Sequence, residues 1–467
     1  MPTTTLTTDL TSLLGPDRVH TDAPTLAEHS IDKWHASTPP DIVVLAQSVD
    51  DVSKTLAFAN EYHIPVTPRG AGVGYVGGCV PAHGGIALSI AKMNQILELT
   101  PEDGVAVVQP GVITAKLQAA AKERGWYYPP DPASLKECSL GGNIATNAGG
   151  PRCLKYGVTR HYVLGLEAVL ADGTVLRTGG RNHKNKTGLD LVSLFTGSEG
   201  LLGVVTEATL RLIPHPEARA ILTATFADFP QAAAAVQSIL NSGWLPSALE
   251  ITDHFTLQAA RDYLGPNALP DGQAHLIVEL DGRADSLAVE IPALHKHLES
   301  LDALTIEQAL DEESVEAIWQ LRRDFSYSLR ATGLTKLNED IVVPRSKLVD
   351  LVNFAHQLQS ETGIPVACFG HAGDGNIHTN LMVDNYDDPD TRSKADAALD
   401  KLFHWIIANG GAITGEHGIG LAKKRWFPEA VGPVSQTVHA TLKQALDPNQ
   451  ILNPGKFIPP TPPGSLS

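Results

Sequence analysis

A strand that runs into glycines without turning into a helix constrains this chain more than any other feature. The run Ile64–Arg69 is short and rich in β-formers, and it delivers the chain into GAGVGYVGG, Gly70–Gly78. Gly72, Gly74 and Gly77 spell the G-x-G-x-x-G of a dinucleotide-binding turn. That turn needs a helix to begin at the glycines, so that a diphosphate can sit on its N-terminus. The next residues are CVPAHGGIALSI, with Pro81, Gly84 and Gly85 ahead of another strand. No helix can start there, and the Rossmann reading falls. Five glycines in nine residues, with Arg69 in front, still suit a loop whose successive N–H groups cradle a diphosphate.

A second small-residue stretch lies farther on, PPDPASLKECSLGGNIATNAGGPRCLKYG over Pro129–Gly157. Ser139, Gly141, Gly142, Ala145, Thr146, Ala148, Gly149 and Gly150 let backbone approach a large flat ligand, with amides and hydroxyls for its polar edges. Around these stretches, Ser48 and Asp51 form a capping signal that predicts a helix over 49–63. A helix over 114–125 and a strand pair turning at Asp172–Gly173 come next. Thr7–Leu14 reads as a short helix ending at Gly15.

After Pro214–His215–Pro216 the composition shifts. Helices over 230–242, 254–264 and 285–299 alternate with ALEITD and HLIVELDG, the pattern of an α+β unit with an antiparallel sheet. Residues 312–331 read as a helix carrying Trp319, Arg322, Arg323 and Ser326, with Arg322 and Ser326 neighbours on one face. On residues alone, Arg322 and Arg323 belong to a solvated face, paired with Glu312 or Asp324.

GHAGDGNIHTN, Gly370–Asn380, is the chemical centre of this half. The run IPVACF leads in, Ile377–Val383 leads out, and turn residues lie between. In the strand–loop–strand this predicts, His371 closes one strand and His378 opens the next, so the imidazoles converge. Period two puts His378 and Asn380 on one face. The GEHG motif offers Glu416, followed by His417. Two imidazoles and a carboxylate hold a divalent ion and leave positions open for a substrate. The same donors would serve a non-haem iron oxygenase or a zinc hydrolase, but the glycine-rich segments and the absence of HExxH argue against both.

At 467 residues the chain is too long for one ordinary core, and two or three domains are expected. A net charge of −17 argues against nucleic acid and against an anionic membrane surface. The four cysteines form no CxxC pair, which leaves no protein-held iron–sulfur cluster and no disulfide framework, and suggests a reducing compartment. The N-terminal stretch lacks the features of a secretory leader, and no apolar run is long enough for a transmembrane helix. The expectation is a cytoplasmic protein, docked at a membrane only through a partner.

The order PRGAGVGYVGG, then PDPAS…SLGGNIATNAGG, then GSEGLLGVVTEATLRL resembles the FAD-binding domain of the vanillyl-alcohol oxidase/p-cresol methylhydroxylase superfamily. The pieces WQLRRDFS, GHAGDGNIHTN, GEHGIG and DPNQILNPGK resemble the C-terminal domain of FAD-linked D-2-hydroxyacid dehydrogenases. These include the glycolate oxidase catalytic subunit, D-lactate dehydrogenases and D-2-hydroxyglutarate dehydrogenases. Together the two halves cover residues 37 to 458. The resemblance implies an α+β fold: a two-part FAD-binding domain plus a cap domain with an antiparallel, ferredoxin-like sheet. The expected division is 1–216 (core 37–216) for FAD, 217–408 for the cap, 409–458 returning to the FAD domain, and a loose tail over 459–467.

For FAD the resemblance implies Arg69, Gly70, Gly72, Gly74, Gly77, Gly78, Pro130, Ser134, Ser139, Gly142, Asn143, Thr146, Gly149, Val205 and Asn453. Some relatives attach FAD through a His in the first loop; Ala71 and Val73 stand there, so FAD is expected to be non-covalent. His371, His378 and Glu416 would hold zinc, with manganese or iron as alternatives. His417 would be the general base, and Arg322, Ser326, Lys336 and Asn380 would bind the substrate carboxylate and its surroundings. The implied reaction is oxidation of a D-2-hydroxy acid, D-lactate or glycolate, with hydride passing to flavin N5. D-2-Hydroxyglutarate dehydrogenase and a non-catalytic FAD-binding subunit are the alternatives, and the intact HAGDGNIH favours a catalytic chain. Electrons would leave to oxygen, a quinone, an electron-transfer flavoprotein or an iron–sulfur subunit. A homodimer is compatible with this reading.

Overall fold

The computed structural model describes residues 3–459. The chain divides into two compact units, one made of the residues to 149, 158–215 and 416 onward, the other of 150–157 and 216–415. The sequence predicts a boundary after 216, and one division falls after 215. It gave no sign of the 150–157 excursion, and it put the return at 409 where the division falls at 416. The tail expected from 459 lies, after Pro459, outside the described residues.

In the first unit, strands Ile42–Leu45, Ile86–Ser89 and Val66–Arg69 pair in parallel in that order, and Val19–His20 adds an antiparallel edge. The strands are almost wholly buried, as parallel strands covered on both faces must be. Helix Val49–Glu61 starts where the capping signal placed it. Ser48 Oγ accepts the Asp51 N–H at 3.2 Å and the Asp51 carboxylate accepts the Ser48 N–H at 3.1 Å, a cap of about 1 kcal/mol. The first helix, Thr3–Leu14, begins ahead of Thr7 and buries Leu6, Leu10 and Leu14 against Ile42, Val44, Leu56 and Leu88. A second sheet is antiparallel, ordered Ile96–Thr100, Val105–Val108, Val204–Arg211, Val163–Val169, Val175–Gly179.

The C-terminal segment is built into this unit. Val66 N donates to Ile451 O at 2.8 Å and Asn453 N to Val66 O at 2.7 Å. Buried Lys443 ties the Asp447 carboxylate to the carbonyls of Leu201 and Leu452.

The second unit is one seven-stranded antiparallel sheet, ordered Thr305–Ala309, Ala218–Phe226, Ala274–Gly282, Ala248–Thr252, Val366–His371, Asn376–Val383, Thr335–Val342. Helices Phe229–Asn241, His254–Leu264, Ala284–Glu299 and Glu312–Ala331 interleave with the strands as the alternation predicts. The excursion 150–157 is fastened by charge. Arg152 grips buried Glu279 with two hydrogen bonds of 2.8 Å, and Lys155 and Tyr156 both bond the Asp281 carboxylate.

Candidate active site

Strands Val366–His371 and Asn376–Val383 form the hairpin that the glycines and histidines of Gly370–Asn380 predict. The second strand begins at Asn376, ahead of His378. Register sets His378 opposite Phe369 and His371 opposite Asn376, and the buried imidazole centroids stand 5.4 Å apart at 81°. Glycine is required at 375: φ is +85° there, and a Cβ would meet Val343 O at 2.1 Å.

On the other side of this hairpin, strand Ala248–Thr252 places Glu250 opposite His371. Glu250 is fully buried; Oε1 lies 2.5 Å from His371 Nδ1 and Oε2 accepts Arg322 Nε at 2.6 Å. Burial alone would raise its pKa, but the charges of His371 and Arg322, with their hydrogen bonds, hold it at about 2. A carboxylate on Nδ1 makes Nε2 the nitrogen that can ligate an ion. Arg322 therefore belongs to no solvated face, as its residues alone had suggested. It is buried and paired with Glu250, neither Glu312 nor Asp324, because its helix face turns onto the sheet.

Asp340 fixes the approach of the third ligand. Its Oδ1 accepts Asn376 Nδ2 at 2.7 Å, and its Oδ2 accepts Thr414 Oγ1 and Gly415 N, each at 2.9 Å. The next residue is Glu416, the proposed third ligand beside His371 and His378. Two nitrogens and an oxygen, with one imidazole oriented by a carboxylate, fit zinc, and also manganese or iron(II).

The proposed carboxylate-binding side chains lie in the same unit. Lys336 Nζ donates to Ser326 Oγ at 2.9 Å, and the Arg322 and Lys336 cations stand 4.7 and 5.8 Å from the Phe369 ring centroid. Burial, then the Arg330 and Arg322 charges, lowers Lys336 to about 7. Asn380 is fully buried; its Nδ2 donates to the carbonyls of Ala367 and His378, and its Oδ1 has no hydrogen-bond partner among the described residues.

The candidate FAD residues all lie in the first unit. Gly70 meets the start of helix Leu140–Thr146 so closely that a Cβ would stand 2.5 Å from Ser139 Oγ. Ser139 caps that helix, which the glycines of SLGGNIATN had hidden from the sequence reading. Gly72 has φ +71°, and a Cβ there would meet the Arg69 guanidinium at 2.1 Å. The Arg69 guanidinium itself donates to the carbonyls of Ile31 and Glu28, and so holds the loop in place. Gly74, Gly77 and Gly78 continue the loop, and the Gly77 and Gly78 carbonyls accept from Lys456 and Asn453. Asn143 donates to Thr114 Oγ1 at 2.7 Å, Thr146 Oγ1 bonds Gly142 O, and Gly149 ends this segment of the unit. Pro130 and Ser134 offer carbonyls to Gln118 and Cys138, and Val205 sits in strand Val204–Arg211. A cleft lined by Ala71, Ala91, Asn94, Gly111, Lys116 and Ser139 opens beside the loop. The Asn453 Oδ1 is buried without a hydrogen-bond partner among the described residues. A loop and a helix end too close for any Cβ, a cleft beside them and a spare buried acceptor fit a ligand that bonds to backbone, as FAD does.

His417 stacks on Tyr75, with ring centroids 5.2 Å apart. Its loop is pinned by Glu199, whose carboxylate accepts the N–H groups of Ile419 and Gly420 at 2.7 and 2.8 Å. Glu250, Asp340 and Glu199 were not foreseen. The signal for Glu250 was present: a lone acid between Leu249 and Ile251, in a strand buried at every position, must have polar or charged partners.

Residues 40–179 match the FAD binding domain family, and residues 215–457 match the FAD linked oxidase C-terminal domain family. The chain is 39% identical to the glycolate oxidase subunit GlcD of Bacillus subtilis, over 90% of this chain and 89% of that one. It is 35% identical to a D-lactate dehydrogenase of Anaerostipes hadrus, over 90% and 89%. Among solved structures, the 4-ethylphenol oxidase of Gulosibacter chungangensis shares the fold at a TM-score of 0.79 and 20% identity, over 97% of this chain and 96% of that one. The chain belongs to the FAD-linked oxidases, and it is an FAD-dependent oxidoreductase. Among the described residues, no helix is long and apolar enough to cross a membrane.

Proposed function

We propose that the chain oxidises a small D-2-hydroxy acid, D-lactate or glycolate, to the 2-oxo acid. The observation that carries this is one unit bringing His371 and His378 together with the Arg322–Ser326–Lys336 group around Phe369. Relatives named for glycolate and D-lactate support the substrate class. One such cationic group suits an acid with one carboxylate.

When bound, a divalent ion on His371, His378 and Glu416, zinc foremost, would lower the pKa of the substrate hydroxyl, and FAD would accept the hydride. Arg322 and protonated Lys336 hold the carboxylate, and Ser326 keeps the lysine on target. Asn380, on the same strand face as His378, assists in substrate binding. His417, next to Glu416 and steadied by Tyr75, takes the hydroxyl proton on a ring nitrogen. The four cysteines, with no CxxC, give the chain no iron–sulfur relay. Electrons therefore leave to an external acceptor: a quinone, an electron-transfer flavoprotein or a separate iron–sulfur subunit.

The test is product formation with an artificial electron acceptor. The proposal expects pyruvate from D-lactate, or glyoxylate from glycolate, and little product from L-lactate. Equal turnover of both lactate enantiomers, or none of any acid, would overturn it.

A further inference from the structure

We propose that Glu250 is a positioning residue that sets metal affinity and carboxylate capture together. This rests on the metal reading above and adds a residue to it. Strand Ala248–Thr252 is buried throughout, and Glu250 faces His371 in register across the sheet. Its two oxygens are divided, Oε1 to His371 Nδ1 at 2.5 Å and Oε2 to Arg322 Nε at 2.6 Å. One rigid carboxylate thus fixes the imidazole so that Nε2 turns to the ion, and aims the guanidinium for the substrate. Neither can reorient without disturbing the other's anchor.

The neighbouring strand supplies an internal control. Glu279 is equally buried and accepts hydrogen bonds from Arg152, Trp319 and Ser247, none of them a proposed ligand or substrate residue. Its loss should weaken the fold and leave the metal alone.

The experiment uses full-length, FAD-loaded protein stripped of metal, with zinc affinity read by competition with a chromophoric chelator. FAD content, Tm and the KM for D-lactate are recorded alongside. Glu250→Gln should weaken zinc binding about 10- to 100-fold, as loss of a partner behind a ligating histidine does, and raise KM, with FAD content unchanged. Arg322→Gln should raise KM and leave zinc affinity within about threefold. Glu250→Gln leaves Arg322 buried without its counter-charge and can fail to fold. The charge-balanced double variant Glu250→Gln/Arg322→Gln therefore stands beside it, and must show the same zinc loss. Glu279→Gln should lower Tm without moving zinc affinity.

Wild-type zinc affinity in both Glu250 variants would overturn the proposal and leave the metal reading intact. So would a zinc loss that Glu279→Gln reproduces. A wild-type protein that takes up no zinc, manganese or iron would overturn the metal reading itself, and the role of Glu250 with it.

Discussion

The two units make their sites from different material. In the first, the candidate FAD residues present mainly backbone: Gly70 and Gly72 leave no room for a Cβ, and Arg69 secures the loop by holding carbonyls. In the second, the proposed site consists of charged side chains far apart in sequence, from Glu250 to Arg322, Lys336 and the two histidines, on elements of one antiparallel sheet and its helix. A backbone site demands small residues in a row, which a sequence displays. A side-chain site demands partners, and a sequence does not show who faces whom.

The largest effect should come from the base. His417→Ala should lower turnover about 10²- to 10⁴-fold, the usual contribution of a positioned base, with FAD content intact. Activity within tenfold of wild type would remove His417 from the mechanism. Next, Gly72→Val should strip FAD, because a β-branched residue at φ +71° would collide with Arg69 and adds strain of about 1–3 kcal/mol. Zinc affinity should be unchanged, so parallel loss of both would contradict the contrast between the units. Arg322→Lys keeps the charge but loses the planar fork, and should raise the KM for D-lactate by roughly 10-fold, about 1.4 kcal/mol of binding, with kcat little altered.

The smallest effect is a pH dependence. Lys336 sits near 7, below its ordinary 10.5. It binds a carboxylate only when protonated, so KM should rise as pH climbs above about 7, and Lys336→Arg should flatten that rise. The folded lysine releases its proton before the unfolded one, so stability without substrate should increase with pH from about 7 towards 10.5. A pH-independent KM in wild type would remove Lys336 from carboxylate binding.

Much of this was legible. The Ser48 cap, the Gly70–Gly78 loop and the His371/His378 hairpin follow from local pattern, and the structure has all three. Helix Leu140–Thr146 was hidden because its glycines pack it closely: a Cβ on Gly141 would stand 2.6 Å from Pro110. Arg322 looked like a surface residue because its partner lies 72 positions away. Asp340 and Glu199, which fix the segment around Glu416, escaped for the same reason, since long-range pairing leaves no local trace.

The most direct measurement is anaerobic mixing of the FAD-loaded protein with D-lactate or glycolate, following the flavin absorbance with zinc bound, after chelation, and after zinc is restored. The account predicts bleaching that chelation abolishes and zinc returns, and none with L-lactate. Fully zinc- and FAD-loaded protein whose flavin band no 2-hydroxy acid bleaches would contradict the proposed reaction.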